Sequence, residues 1–216
     1  MILLLFHSVF WQEVRCFFTY AGLIVAAVLY EEEHKNGNIK NAVAFGISRE
    51  KLFLGKCMTA VLTATVIMAL VLIAYIGSAW FLLEHTGPTS LKIILTEIPA
   101  VYGTAVASMI LGIALLAYIK NEVMAAMLWA VIVYAIPRVL LMAGMVLLGQ
   151  WGIEFLWDFA QLLPANLFQF GAKVNMSHCE VLWKTSQGMT KCVIVGIVGT
   201  VLAIVAGIVM LRKKEV

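Results

Sequence analysis

The sequence predicts an all-α, polytopic membrane protein with about five or six transmembrane helices, and three observations point there. Hydrophobic residues fill 63% of the 216 positions and charged residues only 12%, too little polar surface to cover a water-soluble core of that size. Four apolar runs between charged borders reach about 20 residues or more, the helical length that crosses a hydrocarbon layer about 30 Å thick. The Lys and Arg residues gather in short connections, and that distribution sets orientation in a bilayer. A net charge of +3 is too small and too dispersed to predict a nucleic-acid partner; the lipid bilayer is the predicted surrounding. The chain reads as a single transmembrane domain over residues 1–216.

Taken in order, the first ten residues are apolar but too few to cross, and read as an interfacial helix or the remnant of a span. Residues 17–30 count as the first span if the helix starts upstream and tolerates Arg15 near its end. The four clear spans are 57–83, 98–119, 123–148 and 192–211. Placing the loop 31–56 on the inside puts Lys120, Arg212, Lys213 and Lys214 there too. That gives nine basic residues inside against four outside, namely Lys92, Lys173, Lys184 and Lys191. The loop and the C-terminus are therefore predicted to be cytoplasmic. Five spans then leave the N-terminus outside, so the start is expected to be a truncated sixth span or a segment folding back within residues 1–30.

The outer connections are unequal: 84–97 is short, whereas 149–191 is long and carries Trp151, Trp157 and Trp183. Aromatic rings with one apolar and one polar edge suit the membrane–water boundary. Within that stretch, 153–163 is expected to form a half-inserted helix ended by Pro164, since long structureless loops are uncommon. Small residues four apart mark expected helix contacts, Thr104, Ser108 and Gly112 on one helix and Gly199, Ala203 and Gly207 on another.

Several chemistries are excluded by pattern. The cysteines Cys16, Cys57, Cys179 and Cys192 have no metal-ligand spacing and read as buried or interfacial thiols, with a Cys179–Cys192 pairing left open. The histidines His7, His34, His85 and His178 are scattered, so no metal site is predicted. Gly55-Lys56 is followed by Cys57 with no glycine at position 50, so the chain has no phosphate-cradling loop of its own. Glu31, Glu32 and Glu33 lack the arginine that a Glu-Glu-x-x-x-Arg membrane protease pattern requires, and no catalytic residue is assigned.

The polar loop has an order that positive charge alone does not explain. Asn36-Gly37 is a turn signal. Ile39, Ala42 and Val43 then fall at i, i+3 and i+4, with Lys40 and Asn41 on another face, which makes a short amphipathic element. Gly46 ends it, and Ser48 is placed to cap a long helix passing Arg49 and Lys51 and entering the bilayer after Lys56. With Glu31 ahead of it, the stretch "NGNIKNAVAFGISREKLFLGK" resembles the cytoplasmic loop of ABC-2-type transporter permeases: an acidic residue, G-T-I-K-N, an apolar step, G-I-S-R and a closing G-K. Asn38 stands where that pattern has Thr. "LLPANLFQF", from Leu162, resembles the P-x-N-x-F stretch that the family places before its last helix, so the likeness extends over roughly residue 17 to the C-terminus.

The resemblance implies a permease subunit of an ATP-driven exporter of a peptide, lipid or hydrophobic compound, paired with itself or a related permease and with ABC ATPase subunits. It implies no cofactor in this chain, with ATP and Mg held by the partner. The loop would carry a coupling helix whose contact residues are Gly37, Ile39, Lys40, Asn41, Phe45, Gly46, Ser48 and Arg49. The family would also make 139–148 a re-entrant piece after a break at Pro137. Arg138, a cation inside an apolar run, reads either as lining a transport path beside Glu154 or Asp158 or as an anchor at the outer boundary, and the anchor is favoured. A rival function is a membrane accessory or immunity protein that binds a partner and moves nothing.

Overall fold

Ser48 opens the first long helix, its short hydroxyl suiting the position where helix N–H groups lack partners. The computed structural model describes residues 24, 27–28, 48–82, 89–119, 121–166 and 186–213. In it the Lys51 N–H donates to Ser48 Oγ at 3.4 Å and the Leu52 N–H to the Ser48 carbonyl at 3.2 Å. Helix α1 then runs over Arg49–Leu82, with Glu50 in its first turn beside the positive end of the helix dipole. Its buried face is Phe53, Cys57, Ala60 and Ala64, and Met58, Leu62, Val66 and Leu70 lie exposed on another, as a helix with one packed stripe and one lipid-facing surface requires. Two of its hydroxyls are satisfied by the helix itself: Thr59 Oγ1 donates to the Gly55 carbonyl at 3.0 Å and Thr65 Oγ1 to that of Val61 at 2.6 Å.

Helix α2 spans Thr89–Tyr118. Asn121 then caps the next helix, its Oδ1 accepting from the N–H groups of Val123 at 3.0 Å and Met124 at 3.4 Å. Helix α3 is Glu122–Ala130, followed without interruption by a π turn at Val131–Ala135 and by α4 at Ile136–Trp151. Gly152 stops α4 in the left-handed conformation, φ 67°, which costs glycine no steric penalty. Helix α5 is Phe155–Gln161 and α6 is Ser186–Lys213. Every described element is helical, and four stretches are long and apolar enough to cross a membrane: Glu50–Ser78, Val101–Tyr118, Glu122–Trp151 and Thr190–Arg212. The described part of the expected first span, Ile24, Ala27 and Val28, is also helical, and Ala27 packs against the core.

Helix α2 is the hub. Of Val101–Tyr118, 67% is buried, whereas the other three stretches are mostly unburied. Its most extensive neighbour is α6, and the reason is size. Gly103 faces Gly196, where a Cβ on Gly196 would lie 2.8 Å from the Gly103 Cα. A Cβ on Gly199 would lie 3.2 Å from the Ala107 Cβ, and one on Gly207 would lie 3.1 Å from the Ala114 Cβ. The contacts rise together in number along both helices, so α2 and α6 run parallel. The Tyr102 hydroxyl joins α2 to α1 at Thr65 Oγ1, 2.8 Å away.

Two expectations are corrected. Pro137 does not break the third stretch, because the π turn before it lets the Ile136 N–H reach back to the Val131 carbonyl and the chain stays helical past the missing proline donor. The returning piece is therefore not 139–148 but α5, which lies back along α4. Nor does Pro164 end that helix: it closes at Gln161 with a turn at Leu162–Leu163, and residues 164–166 are helical again.

The α2–α6 contact makes a sharp stability prediction. A Gly196→Ala substitution drives a methyl into Gly103 backbone, which cannot swing aside, and is expected to cost about 1–3 kcal/mol. Gly149→Ala, with nothing within 4 Å, is the control and is expected to be neutral or slightly stabilising. Unfolding of detergent-solubilised protein measures both.

Candidate functional site

The base of the cationic loop is built where α1 begins and α6 ends. Ser48 is the cap, and Arg49 is the first helical residue. One turn on, Phe53 is 1% exposed and lies against Gly207 of α6: a Cβ there would strike its ring, 2.8 Å from Cε1. On the surface beside it, Arg212 Nε donates to Glu50 Oε1 at 2.7 Å, with the two side chains 69% and 39% exposed. At that exposure the ion pair contributes about 0–1 kcal/mol, so the buried ring is the stronger fastening. Lys56 follows on the same helix and is buried, which places it within the bundle rather than at an exposed entry point. Gly37, Ile39, Lys40, Asn41, Phe45 and Gly46 lie outside the described residues.

At the opposite end, α4 and α5 form a hairpin. Gly144 admits the α5 backbone so closely that a Cβ would stand 2.9 Å from the Trp157 nitrogen. Leu162 begins the P-x-N-x-F stretch, and its Asn166 is 2% exposed. Asn166 Nδ2 donates to the Ala160 carbonyl at 2.7 Å and to the Pro137 carbonyl at 2.8 Å. Arg138, Glu154 and Asp158 are all exposed, the first beside Pro137, the second just ahead of α5 and the third within it. Phe155 and Phe159 stack on the exposed face of α5 with centroids 6.5 Å apart.

The small-residue stripes are placed as follows. Gly199, Ala203 and Gly207 lie on α6, with Gly199 and Gly207 in the α2 contact and Ala203 buried. Thr104, Ser108 and Gly112 are buried on α2, and the Ser108 hydroxyl donates to the Thr104 carbonyl at 2.8 Å. The closest approach uses Gly103 and Gly196, one position before Thr104 and three before Gly199. Sequence reasoning missed it because small residues recur so often in "GTAVAS" and "GIVGT" that several stripes fit equally. It also missed Phe53, Asn166 and Trp129, whose indole N–H donates to the Ser108 carbonyl at 2.7 Å. Cys57 and Cys192 are buried free thiols, and Cys179 lies outside the described residues.

A family model described as ABC-2 family transporter protein matches residues 4–138, more than half of the chain. The match starts earlier than the resemblance that begins near residue 17, so the apolar opening is included. It stops at Arg138, ahead of the P-x-N-x-F stretch. No curated protein and no solved structure matches the chain.

The two fastenings at the loop base should differ in strength. Phe53→Ala is expected to destabilise by about 1–3 kcal/mol, mostly through the cavity left against Gly207, because apolar side chains in lipid gain little by transfer. Glu50→Gln is expected to cost less than about 1 kcal/mol and to lose its effect in high salt. Unfolding in the same detergent at two salt concentrations separates them.

Proposed function

Because the chain belongs to the ABC-2 family of transporter proteins, we propose that it is the membrane-spanning permease subunit of an ATP-driven exporter. In this reading a separate ABC ATPase subunit binds ATP and Mg, and this chain performs no covalent chemistry. The permease pairs with a second copy or a related permease, and its cargo is a peptide, a lipid or a hydrophobic compound. The loop 31–56 and the C-terminus face the cytoplasm. That sidedness is supported by Arg49, Lys51, Arg212 and Lys213, which belong to the α1 start and the α6 end, the two termini joined through Glu50 and Phe53.

The observation that carries the mechanism is the fastening of the loop base to α6. A lever transmits motion only if its far end is held, and Phe53 in the Gly207 notch holds it. Pushing the loop then moves the start of α1 together with α6, and α6 carries α2 through the glycine contact. Work done by a docked partner thereby reaches the bundle centre as a shift between two packed arrangements. Phe45 is the apolar knob and Arg49 the cation that this reading sets against the ATPase, with Gly37, Ile39, Lys40, Asn41, Gly46 and Ser48 shaping the surface around them.

Co-expression with a candidate ABC ATPase subunit tests the assignment. Phe45→Ala and Arg49→Ala are expected to lower the recovered ATPase about tenfold, the effect of losing an interface anchor, while the permease itself still inserts. Undiminished recovery and undiminished ATP-driven transport in both variants would remove the loop from the interface.

A further inference from the structure

The second half of the third membrane stretch leans on different neighbours from every other long helix. Helix α4 packs along α5 and continues from the π turn; among the described residues it has no comparable packing against α1, α2 or α6. Val139, Met142 and Met145 are exposed along it. Helix α3, just before the turn, is held firmly. Trp129 is 1% exposed, its indole N–H is bonded to the Ser108 carbonyl of α2, and its ring meets Tyr134 edge-on at 5.7 Å. Leu162, just past α5, also packs against the core, and along the third stretch itself attachment ends at the π turn Val131–Ala135, whose Val133 is 1% exposed.

Beyond that point the chain forms one body. Gly144 brings the α4 and α5 backbones together, and Asn166 ties the end of the hairpin to its root, one amide bonded to Ala160 of α5 and to Pro137 of α4. An amide nitrogen has two hydrogens, and here each has a backbone acceptor. The root is also where the helical ladder is weakest, since Pro137 has no N–H to give and the turn before it is bonded five residues back instead of four.

We propose that α4 and α5 form a rigid arm that pivots on the π turn at Val131–Ala135, and that Asn166 is the positioning residue that makes α5 travel with α4. The pivot is a property of this chain's own packing and stands whether or not the loop docks on an ATPase.

Spin labels on the full-length chain in lipid nanodiscs, with native cysteines replaced, test it by electron–electron distance measurement. The arm pair is Gln150 with Ile194, the α5 pair is Asp158 with Ile194, and the core reference is Ile73 with Ile194. The arm and α5 distributions are expected to be about twofold wider than the core reference, as for a hinged body against a packed one. Pro137→Ala, which restores a donor to the ladder, is expected to narrow both toward the core width. Asn166→Leu is expected to widen the α5 pair further while leaving the arm pair unchanged, a split that general destabilisation does not produce. Arm and core distributions of equal width would overturn the pivot, and equal widening of both pairs in Asn166→Leu would overturn the latch. If that variant does not insert, Gly144→Ala separates the same two backbones at Trp157 and carries the same expectation and the same contrary result.

Discussion

The arrangement of this bundle depends on how closely α2 and α6 approach each other. In lipid, apolar side chains gain almost nothing by leaving one hydrocarbon surface for another, so a helix pair is held by the density of its contacts. Gly103 and Gly196 remove the side chains at the crossing and let backbone meet backbone, and Ala107, Gly199, Ala114 and Gly207 continue the contact toward the end of α6. The remaining helices are arranged around this pair. Phe53 of α1 fills the notch that Gly207 leaves, Tyr102 binds Thr65 farther along α1, and Trp129 secures α3 to the Ser108 carbonyl. Each fastening reaches α2 or α6, and α4 is the long helix without one among the described residues.

That asymmetry gives the two ends of the molecule different mechanical characters. At one end a polar loop returns into a helix whose first turn is locked to the C-terminal turn of another, so displacement applied there is not absorbed locally. At the other, a hairpin rich in exposed apolar surface follows an irregular turn and meets the core again at Leu162. On the proposed function, the loop end would receive a conformational change and the hairpin end would express it.

Much of the fold was legible in the sequence. Length and apolarity located all four long stretches, since a span must be continuous and uncharged whatever its neighbours are. Ser48 was readable as a cap because the requirement is local. The fate of Pro137 was not, because a proline's effect depends on whether preceding residues can widen into a π turn, and nothing in "VIVYAIPR" announces that. Gly207 was legible as a small residue but its partner Phe53 was not, since the pairing joins residues more than 150 positions apart. Asn166 lay inside a motif read for its resemblance, whereas its role is a pair of hydrogen bonds visible only once α5 folds back. Of the loop residues from Gly37 to Arg49, only Ser48 and Arg49 fall within the described structure.

That α2 and α6 are a parallel pair in contact over small residues can be checked by cross-linking. In a chain otherwise free of cysteine, Ala107→Cys and Gly199→Cys would place two thiols at a separation a disulfide can bridge. Rapid, near-complete cross-linking within single chains is expected in native membranes on mild oxidation, with no comparable product when the second thiol is moved to exposed Val201. Absence of an intramolecular product from the 107–199 pair, or equal cross-linking from the Val201 control, would contradict it.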